Sequence, residues 1–317
     1  MRGSRFFFCS ENAKLTSMAT IFQTKEWEDF KLKTGWQKSW RIFNILILEK
    51  KIPLLGSMLY APMLSRDQTK LSTEKIFLDE IRKIAGDRNA VFFRMESDEA
   101  SGGDIDPTKS GYRKAFEEMQ PEHTLILDLT KSEDDILKQM KQKGRYNIKI
   151  AERYEIQIDD CDVNDFHKLY AEMAKRHKIT YRKLAYFENL IDSFKNTDYV
   201  KVFGAKTKDG NLLASAIIVF YKDIATYLFG GSSDLEREKM ATYKLHWEII
   251  REAKKRGMKY YDFFGISPEG DEKHAWAGVS RFKKQFGGEY FTSLGSWDMV
   301  LSKSKYGLFK IAEKIRR

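Results

Sequence analysis

Cysteine is nearly absent from this 317-residue chain: Cys9 and Cys161 are the two present, with no C-x-x-C pair. That excludes a disulfide framework and a zinc ribbon, and it fits a reducing compartment. Long apolar runs are missing as well. The longest uncharged stretch, Ile52 to Ser65, is interrupted by Pro53, Gly56 and Pro62 and falls short of the ~20 residues a membrane helix needs. The apolar run within the first ten residues is too short for a signal peptide. A soluble, cytoplasmic protein is expected, with residues 1–17 forming a disordered extension. Nucleotide-binding signatures are also lacking: there is no G-x-G-x-x-G and no G-x-x-x-x-G-K-[ST]. No G-x-S-x-G elbow occurs, and Cys161 lies between Asp160 and Asp162, where a thiolate is disfavoured. None of the five histidines pairs with another at i,i+3 or i,i+4, so neither a metal nor a cofactor is expected.

What the chain has is charge and aromatic core. Lysine and arginine number 56 against 46 acids, a net +10, and 42% of residues are hydrophobic. Such a balance favours anionic partners: phosphates, nucleic acid or a membrane surface. Helical and strand periods alternate, which argues α/β or α+β. The spacing predicts strands over 41–49 and 56–61 around a Lys-Lys-Ile-Pro turn, a helix over 72–85 and a buried strand over 90–95. A short helix is expected after the 101–111 loop, then a strand over 124–129. Leu137, Met140, Gly144, Ile148 and Ala151 read as the apolar stripe of one helix, and Asp209-Gly210 marks a hairpin. A helix over 241–256 ends at Gly257 and leads into a strand. Leu308, Ile311, Ala312 and Ile315 mark a terminal helix.

In both halves a strand pair precedes a helix that feeds a buried strand, which reads as a duplicated domain in the order of a GNAT acetyltransferase module. The expected boundaries are 18–122 plus 295–317 for the first domain and 123–294 for the second. Gly230-Gly231-Ser232-Ser233 reads as a tight turn or an anion loop between strand and helix. The stretch 235–241, where coenzyme A enzymes of this fold carry their pyrophosphate loop, is acidic and argues against that donor. Glu96 and Asp262 end buried strands, as general bases or as hydrogen-bonded structural carboxylates. Lys138, Lys141, Arg145 and Lys149 line a helix edge, either as a solvated face or as a phosphate track. Arg281, Lys283 and Lys284 interleave with Phe282 and Phe286, a pattern that suits a nucleotide or RNA end.

Several segments together resemble the FemABX family of aminoacyl-tRNA-dependent transferases that build peptidoglycan cross-bridges. They are Phe22-Gln23 with Trp27 and Lys31, Lys143-Gly144-Arg145-Tyr146-Asn147-Ile148-Lys149-Ile150-Ala151, and Thr180-Tyr181-Arg182 with Tyr186-Phe187. Tyr227-Leu228-Phe229-Gly230-Gly231-Ser232, Trp247 to Gly265 and Phe282 to Gly288 complete the set. The resemblance covers residues 20–317. It implies two tandem GNAT-like domains with the C-terminal helix returning to the first, and an aminoacyltransferase acting on a UDP-linked or lipid-linked muramyl peptide. Carried over by position, Lys31 and Arg182 would grip the precursor's diphosphate, with Tyr186, Tyr227 and Phe229 beside it. Phe229 stands where relatives can have tyrosine. Phe282 and Lys283 would flank the reacting centre, and Glu96 matches a position suspected as base. Lys138, Lys141, Arg145, Lys149, Arg281 and Lys284 are the candidates for tRNA. The short segment between Phe187 and Tyr199 implies the compact, arm-free type. A monomer in peripheral contact with the inner membrane surface is expected.

Two other readings remain open from the residues: a FemAB-like N-acyltransferase using another acyl donor on a non-peptidoglycan amine, and a non-enzymatic protein binding RNA or a membrane surface.

Overall fold

The computed structural model describes residues 21–177 and 181–316. The expected extension 1–17 and Thr180 of the Tyr181-Arg182 motif lie outside the described residues. Thr24 accepts the Trp27 amide at 3.2 Å, an N-cap that starts α1 (Lys25–Lys33). A three-strand meander follows: β1 (Lys38–Ile42), β2 (Ile45–Ile52) and β3 (Gly56–Leu64). Then come α2 (Arg66–Thr73), α3 (Lys75–Arg88), β4 (Ala90–Ala100) and the two-residue β5 (Arg113–Lys114). The second half runs β6 (His123–Asp128), α4 (Glu133–Gln139), α5 (Gln142–Arg153), β7 (Gln157–Asp160), α6 (Val163–His177) and α7 (Leu184–Phe194). It continues through β8 (Val200–Lys206), β9 (Leu212–Tyr221), β10 (Ile224–Ser232), α8 (Ala241–Lys255) and β11 (Tyr260–Asp262). It closes with α9 (Ala277–Lys283), β12 (Glu289–Val300) and α10 (Lys303–Arg316).

One plan is used twice. In each half an antiparallel meander is followed by a crossover helix and a parallel strand, giving the parallel pairs β3/β4 and β10/β11. This is the tandem GNAT-like α/β architecture. The halves share one sheet, β1-β2-β3-β4-β12-β6-β11-β10-β9-β8-β7, with β5 paired to β12. β12 is the seam: residues 289–292 pair with β6, and after a bulge between Ser293 and Gly295 the remainder pairs with β4. α10 returns to the first half, where Tyr306 and Phe309 pack on Phe92 of β4.

Local readings differ from the structure at several places. The expected strand 41–49 is two strands, because Phe43 and Asn44 both take left-handed φ (47° and 64°) and make a two-residue hairpin turn. β2 extends to Ile52, so Lys50 is a strand residue rather than part of a turn. The expected single helix through 137–151 breaks at Met140 and Lys141, both extended, into α4 and α5. Among the described residues no α-helix lies between the 101–111 loop and β6; a 3-10 turn over Pro107–Ser110 stands inside that loop instead. Gly230 and Gly231 lie inside β10, where a Cβ on Gly231 would stand 2.8 Å from the Tyr170 amide nitrogen. They are close-packing glycines and not an anion loop.

Gly144 is a second close approach. A Cβ there would stand 2.6 Å from the Gln285 carbonyl oxygen, so α5 meets the turn after α9 through a missing side chain. Gly144→Val should destabilise the protein by about 1–3 kcal/mol, measured by chemical denaturation; an unchanged midpoint would contradict this packing.

Candidate functional site

α1 lies against α7, and the pairing brings Lys31 and Arg182 to one aromatic floor. Lys31 Nζ stands 5.3 Å from the Trp27 ring, 5.6 Å from Phe30 and 5.4 Å from Trp36. Phe30 packs edge-on against Tyr186 at 5.0 Å, and the Arg182 guanidinium covers Tyr186 at 4.5 Å. Strand alternation turns Lys50 to the same side of β2 as Leu46 and Leu48, and its Nζ stands 5.8 Å from the Trp36 ring. Lys31, Lys50 and Arg182 have no ion-pair partner among the described residues. Lys31 is buried, and desolvation, with Arg182 and Lys50 adding to it, lowers its pKa to about 7. Three cations thus converge on one largely desolvated surface with no ion pair among the described residues.

Glu96 lies in range of Lys31 but is 1% exposed. Its Oε1 accepts from Ser296 Oγ at 2.7 Å and from the amides of Met119 and Gln120 at 2.6 and 3.0 Å, while the Tyr60 hydroxyl donates to Oε2. Burial pushes its carboxyl upward against these donors. Glu96 sits mid-strand in β4 rather than at its end, and its contacts are those of a clamp joining β3, β4, β12 and the 119–120 loop.

A second cluster forms where α8 and α9 cover β10 and β11. Lys283 is 5% exposed, and its Nζ donates to the carbonyls of Phe264 and Gly265 at 2.5 and 2.7 Å. Phe264 and Gly265 take consecutive left-handed φ (46° and 75°), which aims both oxygens at the ammonium. Asp262 holds this corner by accepting the Phe264 amide at 2.8 Å and the Thr124 hydroxyl, so its role is structural. Two of three ammonium hydrogens are thus used and one is left. Desolvation brings Lys283 down to about 7, opposed by Asp262. Tyr227 lies beneath it at 5.3 Å. His246, buried between Tyr227 and Phe282 at 4.5 and 5.4 Å, is lowered to about 3 by burial and Lys283. It remains neutral and accepts from or donates to the Tyr261 hydroxyl at 2.9 Å.

A bulge links the clusters. Tyr227 pairs with Ile218 but Phe229 with Ile217, so Leu228 is the extra residue. It sends Tyr227 to the Lys283 side and Phe229 to the other, against Tyr186 and Phe187 at 6.0 and 5.2 Å. The Phe264 ring stacks on Phe22 at 6.0 Å, and Phe22 meets Trp27 at 4.6 Å, so the Lys283 corner and the Lys31 floor share one aromatic wall.

The basic candidates divide. Lys138 is paired with Asp135 at 3.2 Å, and Arg145 is occupied capping the Leu137, Lys138 and Met140 carbonyls at the end of α4. Lys141, Lys149 and Arg281 are exposed and Lys284 is half-buried, and the Lys141 amide donates to Gln285 O at 3.0 Å, which joins the start of α5 to the turn after α9. Sequence spacing missed Lys50, Trp36 and His246. Lys50 was hidden by the misplaced turn, Trp36 sits between elements, and His246 looked like any apolar-face residue of α8. Among the described residues no group of three His, Cys, Asp or Glu side chains is placed to hold a metal.

The FemAB family profile matches residues 108–209 and 198–314, together more than half of the chain. The chain belongs to the FemAB family. It is similar to the lipid II:glycine glycyltransferase of Staphylococcus haemolyticus, 21% identical over 92% of this chain and 90% of that one. It is also similar to the UDP-N-acetylmuramoylpentapeptide-lysine N(6)-alanyltransferase of Weissella viridescens, 29% identical over 59% of this chain and 56% of that one. Both relatives are aminoacyltransferases, and this FemAB member shares their class. The crystal structure of FemX superposes with a TM-score of 0.80 at 18% identity, covering 94% of this chain and 96% of that one, which speaks for a common fold. No helix among the described residues is long and apolar enough to cross a membrane.

Lys283 gives a pH-dependent test. Its pKa falls from 10.5 unfolded to about 7 folded, so between these values the unfolded chain binds more protons and stability rises with pH. The burial penalty is complete below pH 7 and relieved toward pH 10.5. Lys283→Met should therefore gain stability relative to the parent at about pH 6 compared with about pH 10, by on the order of 3–5 kcal/mol. Equal differences at both pH values, read from urea midpoints, would refute the desolvated ammonium.

Proposed function

We propose that this FemAB protein transfers an amino acid from aminoacyl-tRNA to the stem-peptide amine of a muramyl pentapeptide precursor, UDP-linked or lipid-linked, in the cytoplasm. The observation that carries the reading is the convergence of Lys31, Arg182 and Lys50 on one aromatic floor, joined by the Phe264–Phe22–Trp27 wall to Lys283. The names of the relatives, which act on lipid II or a UDP-linked muramyl pentapeptide, supply the acceptor class.

In this reading the three cations take the precursor's diphosphate, and Tyr186 and Phe229 pack against its neighbour groups. The neutral amine attacks the ester carbonyl of the charged tRNA. A C–N bond forms, the C–O bond to the ribose breaks, and the amine proton ends on the ribose oxygen. The ester supplies the driving force, so positioning is the main task. The free ammonium hydrogen of Lys283 faces the developing oxyanion, with Phe282 beside it. Glu96, whose oxygens are engaged, orders the floor rather than collecting that proton. Lys141, Lys149, Arg281 and Lys284, with exposed Tyr146 among them, take the tRNA end by charge and stacking. Lys138 and Arg145 contribute less because their charges are already used.

The test mixes the protein with charged tRNAs and UDP-linked muramyl pentapeptide and follows product by mass spectrometry. Lys31→Ala, Lys50→Ala and Arg182→Ala should each raise KM for the precursor about tenfold, with kcat little changed. Lys283→Ala should lower kcat by about 10²–10³. Absence of an aminoacyl product with every charged tRNA and with a lipid-linked acceptor would end the assignment.

A further inference from the structure

α10 carries an apolar stripe that the fold does not use. Tyr306 and Phe309 hold the helix to β4, whereas Leu308, Ile311 and Ile315, at helical spacing on the opposite side, are 55%, 59% and 80% exposed. By the helical period, Lys303, Lys310 and Lys314 border this stripe on one side and Lys305 on the other. The one acid of the helix, Glu313, lies toward the core side. An outward apolar stripe between two lysine borders is the pattern of a helix lying in a lipid interface.

We infer that α10 docks this protein on an anionic bilayer surface, with Leu308, Ile311 and Ile315 in the acyl boundary and the lysines on lipid phosphates. Charge and shape together select this occupant. RNA would satisfy the lysines but leave the leucine and isoleucines in water. A second copy would cover the stripe but press like-charged borders together. The position of the helix adds a consequence. The Tyr306 hydroxyl donates to Asp298 at 2.7 Å on β12, two residues from Ser296, which bonds Glu96. Docking through α10 therefore sets the face of the sheet that carries Glu96 near the lipid, where a lipid-linked acceptor is presented. Binding to vesicles does not depend on the transfer reaction, so it stands or falls separately from the proposed function.

The experiment sediments the full chain with vesicles of phosphatidylcholine alone or mixed equally with phosphatidylglycerol, at physiological salt. The parent protein should partition onto the mixed vesicles and not onto the neutral ones. Ile311→Ser combined with Ile315→Ser, and separately Lys303→Glu combined with Lys314→Glu, should each lower partitioning about tenfold or more. Both should leave the melting temperature unchanged, since these side chains are outside the core. The inference is overturned if the parent stays in the supernatant, or if the serine pair binds as the parent does, which would reduce the effect to general polyanion attraction. It is equally overturned if light scattering shows a dimer that the serine pair dissolves.

Discussion

A fully buried bidentate pair, Arg94 to Asp298 at 2.7 and 2.8 Å, joins β4 to β12 across most of the chain's length. Everything else hangs on that seam. β12 must run first beside β6 and then beside β4 for the two halves to share a sheet, and the pair fixes its register just past the bulge. Tyr306 adds a third bond to Asp298, which returns α10 to the first half. Burying such a pair gains little by itself, but removing one member leaves an unpaired charge at a cost of about 3–5 kcal/mol. The interaction thus specifies an arrangement more than it stabilises one.

The same seam orders the candidate site. Ser296, beside Asp298, shares Glu96 with Tyr60 and the 119–120 amides, and Tyr60 stacks on Trp36 at 5.3 Å. Trp36 is in turn the ring that Lys31 and Lys50 approach. A rigid network of satisfied polar groups therefore lies under a surface of unsatisfied positive charge. Lys31 and Lys283 are both pulled to about 7 by burial. The protein holds two desolvated ammonium groups at a cost to its own stability, which is the usual mark of a binding or reacting centre.

Most elements of the second half were legible because their signals are local. Asp209-Gly210 makes its hairpin, and Gly257 takes the left-handed φ that ends α8. Failures came where a local signal was overruled. Phe43 is an unusual residue for a left-handed turn, so the β1–β2 hairpin was hidden. Arg145 caps the end of α4, a bond no periodicity reveals, and the stripe through 137–151 is divided in two. On α10 the residues that mark the helix, Leu308, Ile311 and Ile315, are exposed, while Tyr306 and Phe309 make the contact with β4.

The sequence by itself determined the family, the alternation of helices and strands and the kinds of residue at the site, since motif order and periodicity are properties of neighbouring positions. Tertiary structure alone decided which charges meet. Lys31, Lys50 and Arg182 come together through strand alternation and the packing of α1 on α7, and Tyr227 parts from Phe229 because one extra residue in β10 reverses the face. Charge convergence is a three-dimensional quantity: it depends on which sides of distant elements are pressed together, and no spacing along the chain encodes that.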